Sequence, residues 1–432
     1  MIIKPTRLLS GTIHLPGDKS VSHRAAMIAS IAEGTTRISN FAVSEDCTST
    51  LGCMAGLGAN IHHDGSEVVI SAAGKYGLKS PNSPLVCGNS GTTMRLLSGI
   101  LAGQPFEATM VGDESLSRRP MRRVIEPLTE MGAVIRSTEG HAPLVIRGKH
   151  PLDGIEFRLP VASAQLKSCV LLAGLFAEGR TTVIEPVPTR DHTERMLKAF
   201  GADISIIETG DGKAISVSGN SNLTGRVITV PSDISSAAFF LVAAACLEGS
   251  HVEMPNVGLN PTRTGIFEVL RRFGVRIDVI DESDSAGEPV GTLIIKDQKE
   301  LTARDSNKIE GDIVANIIDE IPILAVFGTQ IEGGIEIRDA GELRVKESDR
   351  IAAVAENLRR MDADVEEFED GLRVGRSRLK GAVVDSFGDH RIAMAFAVAG
   401  LFAEGETEIQ GAECAAVSFP GFFDVLSSIT NE

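Results

Sequence analysis

Basic and hydroxyl side chains cluster directly before apolar segments of this chain. The first cluster is Gly17-Asp18-Lys19-Ser20, with Arg24 one helical turn beyond Ser20. Two cations and a hydroxyl at one helix start suit a phosphate or carboxylate ligand. A nucleotide-binding P-loop needs adjacent Gly and Lys, which Asp18 separates here, so a nucleotide site is not predicted.

Five further segments share this arrangement: GNSGTTMR from Gly88, SAQLK from Ser163, PSDISS from Pro231, IDE ending at Glu320, and GDHR from Gly388. Every helix start needs a polar cap, so each cluster alone is explained by structure. Six of them, four with Lys or Arg, occur in a chain of net charge −16. We infer that helix N-termini converge here on one or two small anions.

Other charged stretches have both structural and chemical explanations. Ser117-Arg118-Arg119-Pro120 suits a soluble surface as well as an anion site. The adjacent acids Asp319 and Glu320 are either dipole partners of a helix or a general base for a hydroxyl. On a helix, the segment RVKESDR (344–350) would place Lys346 and Glu347 one turn from Arg350, a spacing that a solvated helix face shares.

A sixfold repeat positions these clusters. Each apolar segment is long and rich in Ala and Leu, which predicts a buried helix, and the following Gly predicts its C-cap. A β-branched strand comes next, and then a second helix ending near LGANI, MGAVI, FGADI, FGVRI or MDADV. Each repeat is therefore close to βαβαββ, which predicts an α/β protein. The polar segment DESDSAGEPVG (281–291) is predicted to be an exposed loop.

Composition excludes several classes of protein. The negative net charge, one Tyr and no Trp argue against a nucleic-acid binder. No apolar run is long enough to span a membrane, and the first residues lack a signal peptide's apolar core. The six scattered cysteines predict reduced thiols in the cytoplasm. The histidines and cysteines lack metal-site spacing, so no metal is expected.

Eight segments, in this order, resemble motifs of the 5-enolpyruvylshikimate-3-phosphate synthase family: PGDKSVSHRAAM, GNSGTTMR, SRRPM, SAQLKS, TRDHTERML, IIDEIPILA, LRVKESDRI and GDHRIAMA. The resemblance implies an inside-out α/β barrel fold with two domains of three repeats each. Residues 15–231 would form the shikimate 3-phosphate domain, and 1–14 with 232–432 the second. Crossovers near 12–18 and 229–233 would join them, with the active site between.

The resemblance also implies the reaction. The enolpyruvyl group of phosphoenolpyruvate would pass to the 5-hydroxyl of shikimate 3-phosphate, and phosphate would leave, through a tetrahedral intermediate. This is a step toward chorismate and the aromatic amino acids. No metal or organic cofactor is implied. The expected partners are the two substrates, with glyphosate as a candidate inhibitor of a monomeric enzyme whose domains close on the ligands.

Residue roles are implied in the same way. Shikimate 3-phosphate would contact Lys19, Ser20, Arg24, Ser163, Ala164, Gln165, Asp319 and Lys346. Phosphoenolpyruvate would contact Lys19, Asn89, Gly91, Thr92, Arg119, Gln165, Arg350 and Arg391. Asp319 would accept the hydroxyl proton, and the acid that protonates the methylene carbon would be Glu347, Lys19 or His390.

Three positions depart from the family pattern: Ala164 replaces a serine found in some members, Leu96 stands where proline is frequent, and Ser418 stands where one branch has a lysine. Gly91 is the small residue expected for glyphosate sensitivity. A rival family acts on UDP-N-acetylglucosamine, but it has a Lys-Asn pair where this chain has Lys19-Ser20. It also has a loop cysteine, which GDESLSRRPM (112–121) lacks. The alternative to an enzyme is a non-catalytic repeat scaffold that binds anions.

Overall fold

The six apolar segments form helices in the computed structural model, which describes residues 1–296, 301–302 and 306–431. The helices are α1 (Lys19–Ala29), α2 (Glu45–Gly56), α3 (Gly91–Ala102), α4 (Glu114–Ser117), α5 (Arg122–Glu130), α6 (Ala164–Gly174), α7 (His192–Ala199), α8 (Ile234–Cys246), α9 (Gly265–Arg272), α10 (Asp312–Ile317), α11 (Ile321–Gly328), α12 (Arg350–Arg360), α13 (His390–Leu401) and α14 (Phe422–Ile429), with 3-10 helices at Gly341–Val345 and Ala412–Val417.

The strands connect these helices in the predicted alternation. They are β1 (Ile2–Ile3), β2 (Leu8–Thr12), β3 (Glu33–Ser39), β4 (Asn60–Asp64), β5 (Glu67–Ala73), β6 (Leu85–Val86), β7 (Glu107–Val111), β8 (Val134–Thr138), β9 (His141–Arg147), β10 (Leu152–Asp153), β11 (Glu156–Arg158), β12 (Ala177–Glu178), β13 (Arg180–Glu185), β14 (Ile204–Thr209), β15 (Gly212–Ser218), β16 (Val227–Thr229), β17 (His251–Gly258), β18 (Ile277–Ser285), β19 (Glu288–Lys296), β20 (Lys308–Ile309), β21 (Ile335–Ile337), β22 (Val365–Phe368), β23 (Gly371–Val374), β24 (Val383–Asp385), β25 (Thr407–Gln410) and β26 (Thr430–Asn431).

The chain divides into two compact units. The inserted unit comprises Gly17–Pro231 and Asp284–Glu288, and the terminal unit comprises Met1–Pro16, Ser232–Ser283 and Pro289–Glu432. The predicted domains differ from these units at residues 15–16, which were placed with 17–231, and at Asp284–Glu288, which were placed with the second domain. This short segment is the tip of a hairpin, and its backbone and side chains bond to residues of the inserted unit. For example, Arg195 Nη1 donates to Gly287 O at 2.9 Å.

The inserted unit repeats one sheet three times, with strand orders β16-β3-β5-β4, β6-β7-β9-β8 and β11-β13-β15-β14. In each sheet the first pair is parallel and the other pairs are antiparallel. The strands alternate between buried and more exposed residues, as β9 does, because one face packs on helices. Helices α1, α3 and α6 are buried on nearly all sides, so they form the interior and the sheets cover them.

The terminal unit uses the same order in β20-β21-β23-β22 and, with one added strand, in β18-β19-β17-β2-β26. A third sheet, β1-β25-β24, takes its antiparallel strand from the N-terminus of the chain. Helices α8, α11 and α13 are buried along their whole length. The predicted α/β class and βαβαββ repeat are therefore confirmed, with β2 and β16 supplying leading strands from distant parts of the chain.

The second helix is followed by a left-handed residue in five of the six repeats, and α14 of the sixth is followed by the extended Thr430. Glycines take this position after α2, α5, α7 and α9, with φ between 88° and 100° at Gly58, Gly132, Gly201 and Gly274. Asp362 takes it after α12 with φ 65°. A short polar side chain tolerates this conformation better than most, so the repeat keeps its turn without glycine.

Two sequence predictions were wrong. The segment 281–291 is not a loop, because β18 and β19 form a hairpin across it. Its turn residues Ala286 and Gly287 both have positive φ, a pattern that Asn-Gly usually signals. The predicted glycine C-cap is confirmed only for α3, which is capped by Gly103. The C-caps of the other five apolar helices are not glycines but Ser30, Leu175, Leu247, Thr329 and Phe402.

We expect Gly99→Ala to destabilise the protein by about 2 kcal/mol, because overpacking of a fixed helix contact costs this much. A Cβ at Gly99 of α3 would lie 2.2 Å from the carbonyl oxygen of Cys169 on α6. Gly52→Ala is the matched control: this exposed site within α2 has open space, so alanine should stabilise by about 0.5–1 kcal/mol. Urea unfolding measures both, and an unchanged stability in Gly99→Ala would contradict close packing of α3 on α6.

Candidate active site

The start of α1 combines a cap with a paired lysine. The Asp18 carboxylate accepts from Val21 N at 2.9 Å, which satisfies an N-H of the first turn. Lys19 Nζ lies 2.8 Å from Asp46 Oδ2, at the start of α2. Both side chains are mostly buried, so the ammonium is held in one place.

Arg24, one turn later, is buried and has neutral hydrogen-bond partners. Its Nε donates to Thr193 Oγ1 at 2.7 Å, Nη2 to Ser168 Oγ at 2.8 Å, and Nη1 to Ser20 O at 2.9 Å. Burial lowers the pKa of Arg24 to about 10. The carboxylates of Glu194 and Asp18 oppose this effect, and the nearby Arg190 adds to it. The guanidinium is therefore charged at neutral pH, and its hydrogen bonds leave that charge uncancelled.

Lys167, the ammonium of the SAQLK cluster, has a structural role. It is completely buried, and its Nζ lies 2.8 Å from Glu185 Oε1 and 2.7 Å from Glu194 Oε1. Two carboxylates neutralise it, so it is not available to an anion. It instead ties α6 to β13 and α7, next to the groups that hold Arg24.

The loop before α3 is braced by Arg119. Its Nη2 donates to Asn89 Oδ1 at 2.6 Å, and Asn89 Nδ2 donates to Asp113 Oδ2 at 2.7 Å. A Cβ at Gly91 would lie 3.1 Å from Arg95 Nη1 and 3.4 Å from Arg119 Nη1. Glycine therefore lets the backbone approach two guanidinium groups, as close contact with an anion requires.

Gln165 connects the starts of α3 and α6. Its Oε1 accepts from Arg95 Nη1 at 2.6 Å, and its Nε2 donates to Thr92 Oγ1 at 2.9 Å. Ser163 caps α6 by accepting from Leu166 N at 3.4 Å, and Ala164 is the first residue of that helix. The structure thus brings the predicted residues of α3 and α6 together, and the Arg24–Ser168 bond joins α1 to them.

In the terminal unit, Arg350 lies among three carboxylates. It is 1% exposed and contacts Asp319 Oδ1 at 3.3 Å, Glu347 Oε2 at 2.6 Å and Asp389 Oδ2 at 2.8 Å. Burial alone would lower the pKa of Arg350, but the three carboxylates raise it on balance. The starts of α11, α12 and α13 therefore meet at one buried guanidinium.

Arg391 contacts the same aspartate from α13. Its Nη1 donates to the backbone oxygen of Asp319 at 3.0 Å, and its Nη2 lies 3.7 Å from Asp319 Oδ2. Asp389 caps α13 by accepting from Arg391 N at 2.9 Å, and the buried His390 is the first residue of this helix. Asp319, the predicted base, thus lies next to two predicted anion-binding arginines.

The helix expected across 344–350 does not form. Residues 341–345 are a 3-10 helix and α12 begins only at Arg350, so Lys346 and Glu347 precede it. The ammonium of Lys346 lies 3.2 Å from Glu342 Oε1 and is not stacked on Arg350. α12 begins only at Arg350 because Asp349 is its N-cap, and the Asp349 side chain accepts a hydrogen bond from Ala352 N.

Several supporting groups were not among the residues predicted from the sequence. Asp46, Ser168 and Thr193 hold Lys19 and Arg24, and Arg190 lies close to Arg24. The TRDHTERML segment contains Arg190 and Thr193, and the SAQLKS segment ends at Ser168, whereas no quoted motif contains Asp46. Among the described residues no group of three or more His, Cys, Asp or Glu could hold a metal ion. None of the helices in the described ranges is long and apolar enough to cross a bilayer.

Comparison with known proteins decides the family. The family model of EPSP synthase (3-phosphoshikimate 1-carboxyvinyltransferase) matches residues 3–426. The chain is 53% identical over 429 residues to the 3-phosphoshikimate 1-carboxyvinyltransferase of Solibacter usitatus, covering 99% of both chains. It is 50% identical over 428 residues to that of Bacillus velezensis, covering 98% of both. The chain belongs to the EPSP synthase family.

A solved EPSP synthase from Acinetobacter baumannii has the same fold, with TM-score 0.88, 45% identity and coverage of 99% of this chain and 97% of that one. The predicted family and fold class are confirmed. The EPSP synthase activity follows: this chain transfers the enolpyruvyl group of phosphoenolpyruvate to shikimate 3-phosphate in aromatic biosynthesis. The UDP-N-acetylglucosamine and scaffold alternatives are not favoured.

We expect Asp389→Asn to cost about 1.5–3 kcal/mol at pH 7, because it removes the charge from a buried hydrogen-bond acceptor of Arg350. Arg350 keeps Asp319 and Glu347 as carboxylate partners, so the loss is smaller than that of an isolated buried ion pair. Arg350 lowers the pKa of Asp389 in the folded state, against the opposing effect of burial. The stabilisation is therefore complete above the unfolded pKa of about 3.9, and it disappears as the pH falls through the lower folded value.

Urea unfolding of both proteins at pH 7, 5 and 3.5 measures this difference. Asp364→Asn removes the exposed Asp364–Arg373 pair and is the control, with an expected change of about 0.5 kcal/mol or less. A difference for Asp389→Asn that grows as the pH falls would contradict the assignment.

Proposed function

We propose that the inserted unit binds shikimate 3-phosphate through Lys19, Ser20 and Arg24, with Ser163, Ala164 and Gln165 beside them. The carrying observation is the buried Arg24, whose hydrogen bonds go only to neutral oxygens. A phosphate is the ligand that such a fixed, uncancelled guanidinium suits. Arg190 adds a second positive charge near it. Because Ala164 has no hydroxyl, this position contributes only its backbone.

We propose that phosphoenolpyruvate is bound by the loop before α3 and by two arginines of the terminal unit. Asn89, Gly91 and Thr92 shape the loop, and Arg119 and Arg391 supply positive charge. Arg350, whose charge three carboxylates balance, would donate a hydrogen bond to this substrate. Lys19 and Gln165 would contact this substrate as well. Phosphoenolpyruvate has a phosphate and a carboxylate, so several guanidinium groups at fixed positions match its charge.

We propose that Asp319 is the base and Glu347 the acid of an addition–elimination reaction. The 5-hydroxyl oxygen bonds to C2 of phosphoenolpyruvate while Asp319 takes its proton and Glu347 protonates the methylene carbon. The tetrahedral intermediate then loses phosphate from C2 and returns a methyl proton to the Glu347 carboxylate, which restores the double bond. The proton taken by Asp319 leaves with the phosphate. Arg350 contacts both carboxylates and so fixes acid and base relative to one guanidinium. Lys346 would lie near the shikimate ring, and Lys19 and His390 are the alternative acids.

We expect Asp319→Asn and Glu347→Gln each to lower kcat by about 10²–10⁴-fold, the usual contribution of a general acid or base. The isosteric amides keep the shape of the site, so the dissociation constant of shikimate 3-phosphate should change by no more than about threefold. Phosphate release from phosphoenolpyruvate plus shikimate 3-phosphate measures turnover, and calorimetry measures binding.

Asp312→Asn, at an exposed first residue of α10, is the matched control and should keep wild-type turnover. If Lys19→Met or His390→Gln abolishes turnover while Glu347→Gln retains it, the acid is one of the alternatives. Full activity in Asp319→Asn would remove Asp319 from the base role.

We further propose that glyphosate competes with phosphoenolpyruvate, because its phosphonate and carboxylate match the same cations and Gly91 leaves the backbone loop open. We expect the KM for phosphoenolpyruvate to rise with glyphosate concentration at constant kcat in the phosphate-release assay. A fall in kcat at unchanged KM would show binding elsewhere. A monomeric state and a cytoplasmic location complete the proposal.

A further inference from the structure

A row of four buried polar side chains connects α1, α2 and α3 of the inserted unit. His23 Nδ1 lies 2.6 Å from Thr50 Oγ1, Thr50 Oγ1 lies 2.7 Å from Thr93 Oγ1, and Thr93 Oγ1 lies 2.7 Å from Ser90 Oγ. All four residues are 0% exposed. We call this row, His23–Thr50–Thr93–Ser90, the hydroxyl chain.

The donors and acceptors of the hydroxyl chain determine the direction in which its hydrogen bonds run. Thr93 donates its hydroxyl proton to Ser90 Oγ, so it must accept from Thr50. Thr50 then has used its only proton and must accept from the Nδ1–H of His23. Burial lowers the pKa of His23 to about 3, so the ring is neutral at physiological pH and has one N–H to donate. The four groups are therefore ordered from α1 to α3.

Both ends of the hydroxyl chain adjoin residues proposed to bind substrate. His23 precedes Arg24 on α1, whose first residues are Lys19 and Ser20. Ser90 is the N-cap of α3, where its Oγ also accepts from Thr93 N at 3.1 Å, and it stands between Asn89 and Gly91. In the middle, Thr50 lies one turn after Asp46, the partner of Lys19.

A valine of similar volume would fill the space of either threonine. A hydrogen bond adds what packing lacks: one preferred distance and direction between two helices. A displacement of α3 by less than an ångström would stretch these bonds, and burial leaves no water to replace them. The hydroxyl chain thus fixes the start of α3 relative to α1 more narrowly than apolar contact would.

We propose that Thr50 and Thr93 are positioning residues that hold the phosphoenolpyruvate-binding loop in register with the shikimate 3-phosphate residues of α1. The inference rests on the residue roles proposed above. Neither threonine is assigned a substrate contact. Their loss should weaken phosphoenolpyruvate binding selectively, because α1 keeps its own partners for Arg24 while the Asn89–Thr92 loop loses its anchor.

The experiment compares Thr50→Val with a matched control, Thr181→Val on β13. Thr181 is equally buried, but its hydroxyl has no hydrogen-bond partner among the described residues. We expect Thr50→Val to raise the KM for phosphoenolpyruvate about tenfold, as leaving a buried partner unsatisfied does. The calorimetric dissociation constant of shikimate 3-phosphate should stay within about twofold. Thr181→Val and the hydroxyl-retaining Thr50→Ser should behave like wild type.

A second variant, Thr93→Val, removes the same bond from the other side. The effect of the double variant should be smaller than the sum of the two single effects, because both variants lose the same Thr50–Thr93 bond. Each variant also loses one bond of its own, to His23 or to Ser90. Thr93→Val also serves alone if Thr50→Val does not fold, which urea unfolding reports. Additive effects, equal weakening of both substrates, or no effect on either would overturn the proposal.

Wild-type turnover separates this inference from the function on which it rests. If the wild type releases no phosphate when both substrates are present, the residue roles fail and the positioning role fails with them. If the wild type is active and Thr50→Val matches Thr181→Val, only the positioning role is wrong.

Discussion

A charged side chain removed from water must be paired, and this constraint shapes both units of the protein. Arg24 and Arg350 are 3% and 1% exposed. Arg24 lies one turn into α1, and Arg350 is the first residue of α12. Neither guanidinium could remain there without partners from other helices. The helix starts must therefore meet, and their meeting points are where the candidate active-site residues lie.

The two arginines are paired by different chemistry, and the difference matches their proposed roles. Arg24 donates to hydroxyl and backbone oxygens, which satisfy its N–H groups without cancelling its charge. Arg350 contacts Asp319, Glu347 and Asp389, so its charge is more than balanced. The first arrangement suits binding of an anion, and the second holds an acid and a base. The surroundings of the two arginines thus fit the two proposed roles, anion binding in one unit and proton transfer in the other.

The repeat also explains why sheets of both units share one strand order. The same order of four strands recurs because each βαβαββ repeat buries one helix and covers it with one sheet. Close approach of buried helices then requires small residues, as Gly99 of α3 against Cys169 of α6 shows. The left-handed turn after the second helix is kept even where Asp362 replaces glycine. The repeat is therefore specified by backbone geometry more than by residue identity.

The sequence alone predicted the elements and the family. Apolar segments of α1, α3, α6, α8, α11 and α13 are long enough to be assigned as helices, and their polar starts mark the candidate substrate residues, since both signals are local. Sequence-based prediction was wrong at two places where local composition was misleading. The hairpin at 281–291 has a polar, charged sequence and an Ala-Gly turn, so it was predicted to be a loop. Lys346 lies before α12, because Asp349 is the N-cap of that helix.

Only the tertiary structure decided which groups are partners. Asp46 pairs with Lys19 across 27 residues, Thr193 with Arg24 across 169, and Asp389 with Arg350 across 39. His23, Thr50 and Thr93 lie in three different helices, and no spacing along the chain places them in one row. These contacts depend on how the buried helices pack, and packing follows from the shape and volume of many side chains at once. A sequence pattern reports one segment at a time, so it could name the charged residues but not what holds them.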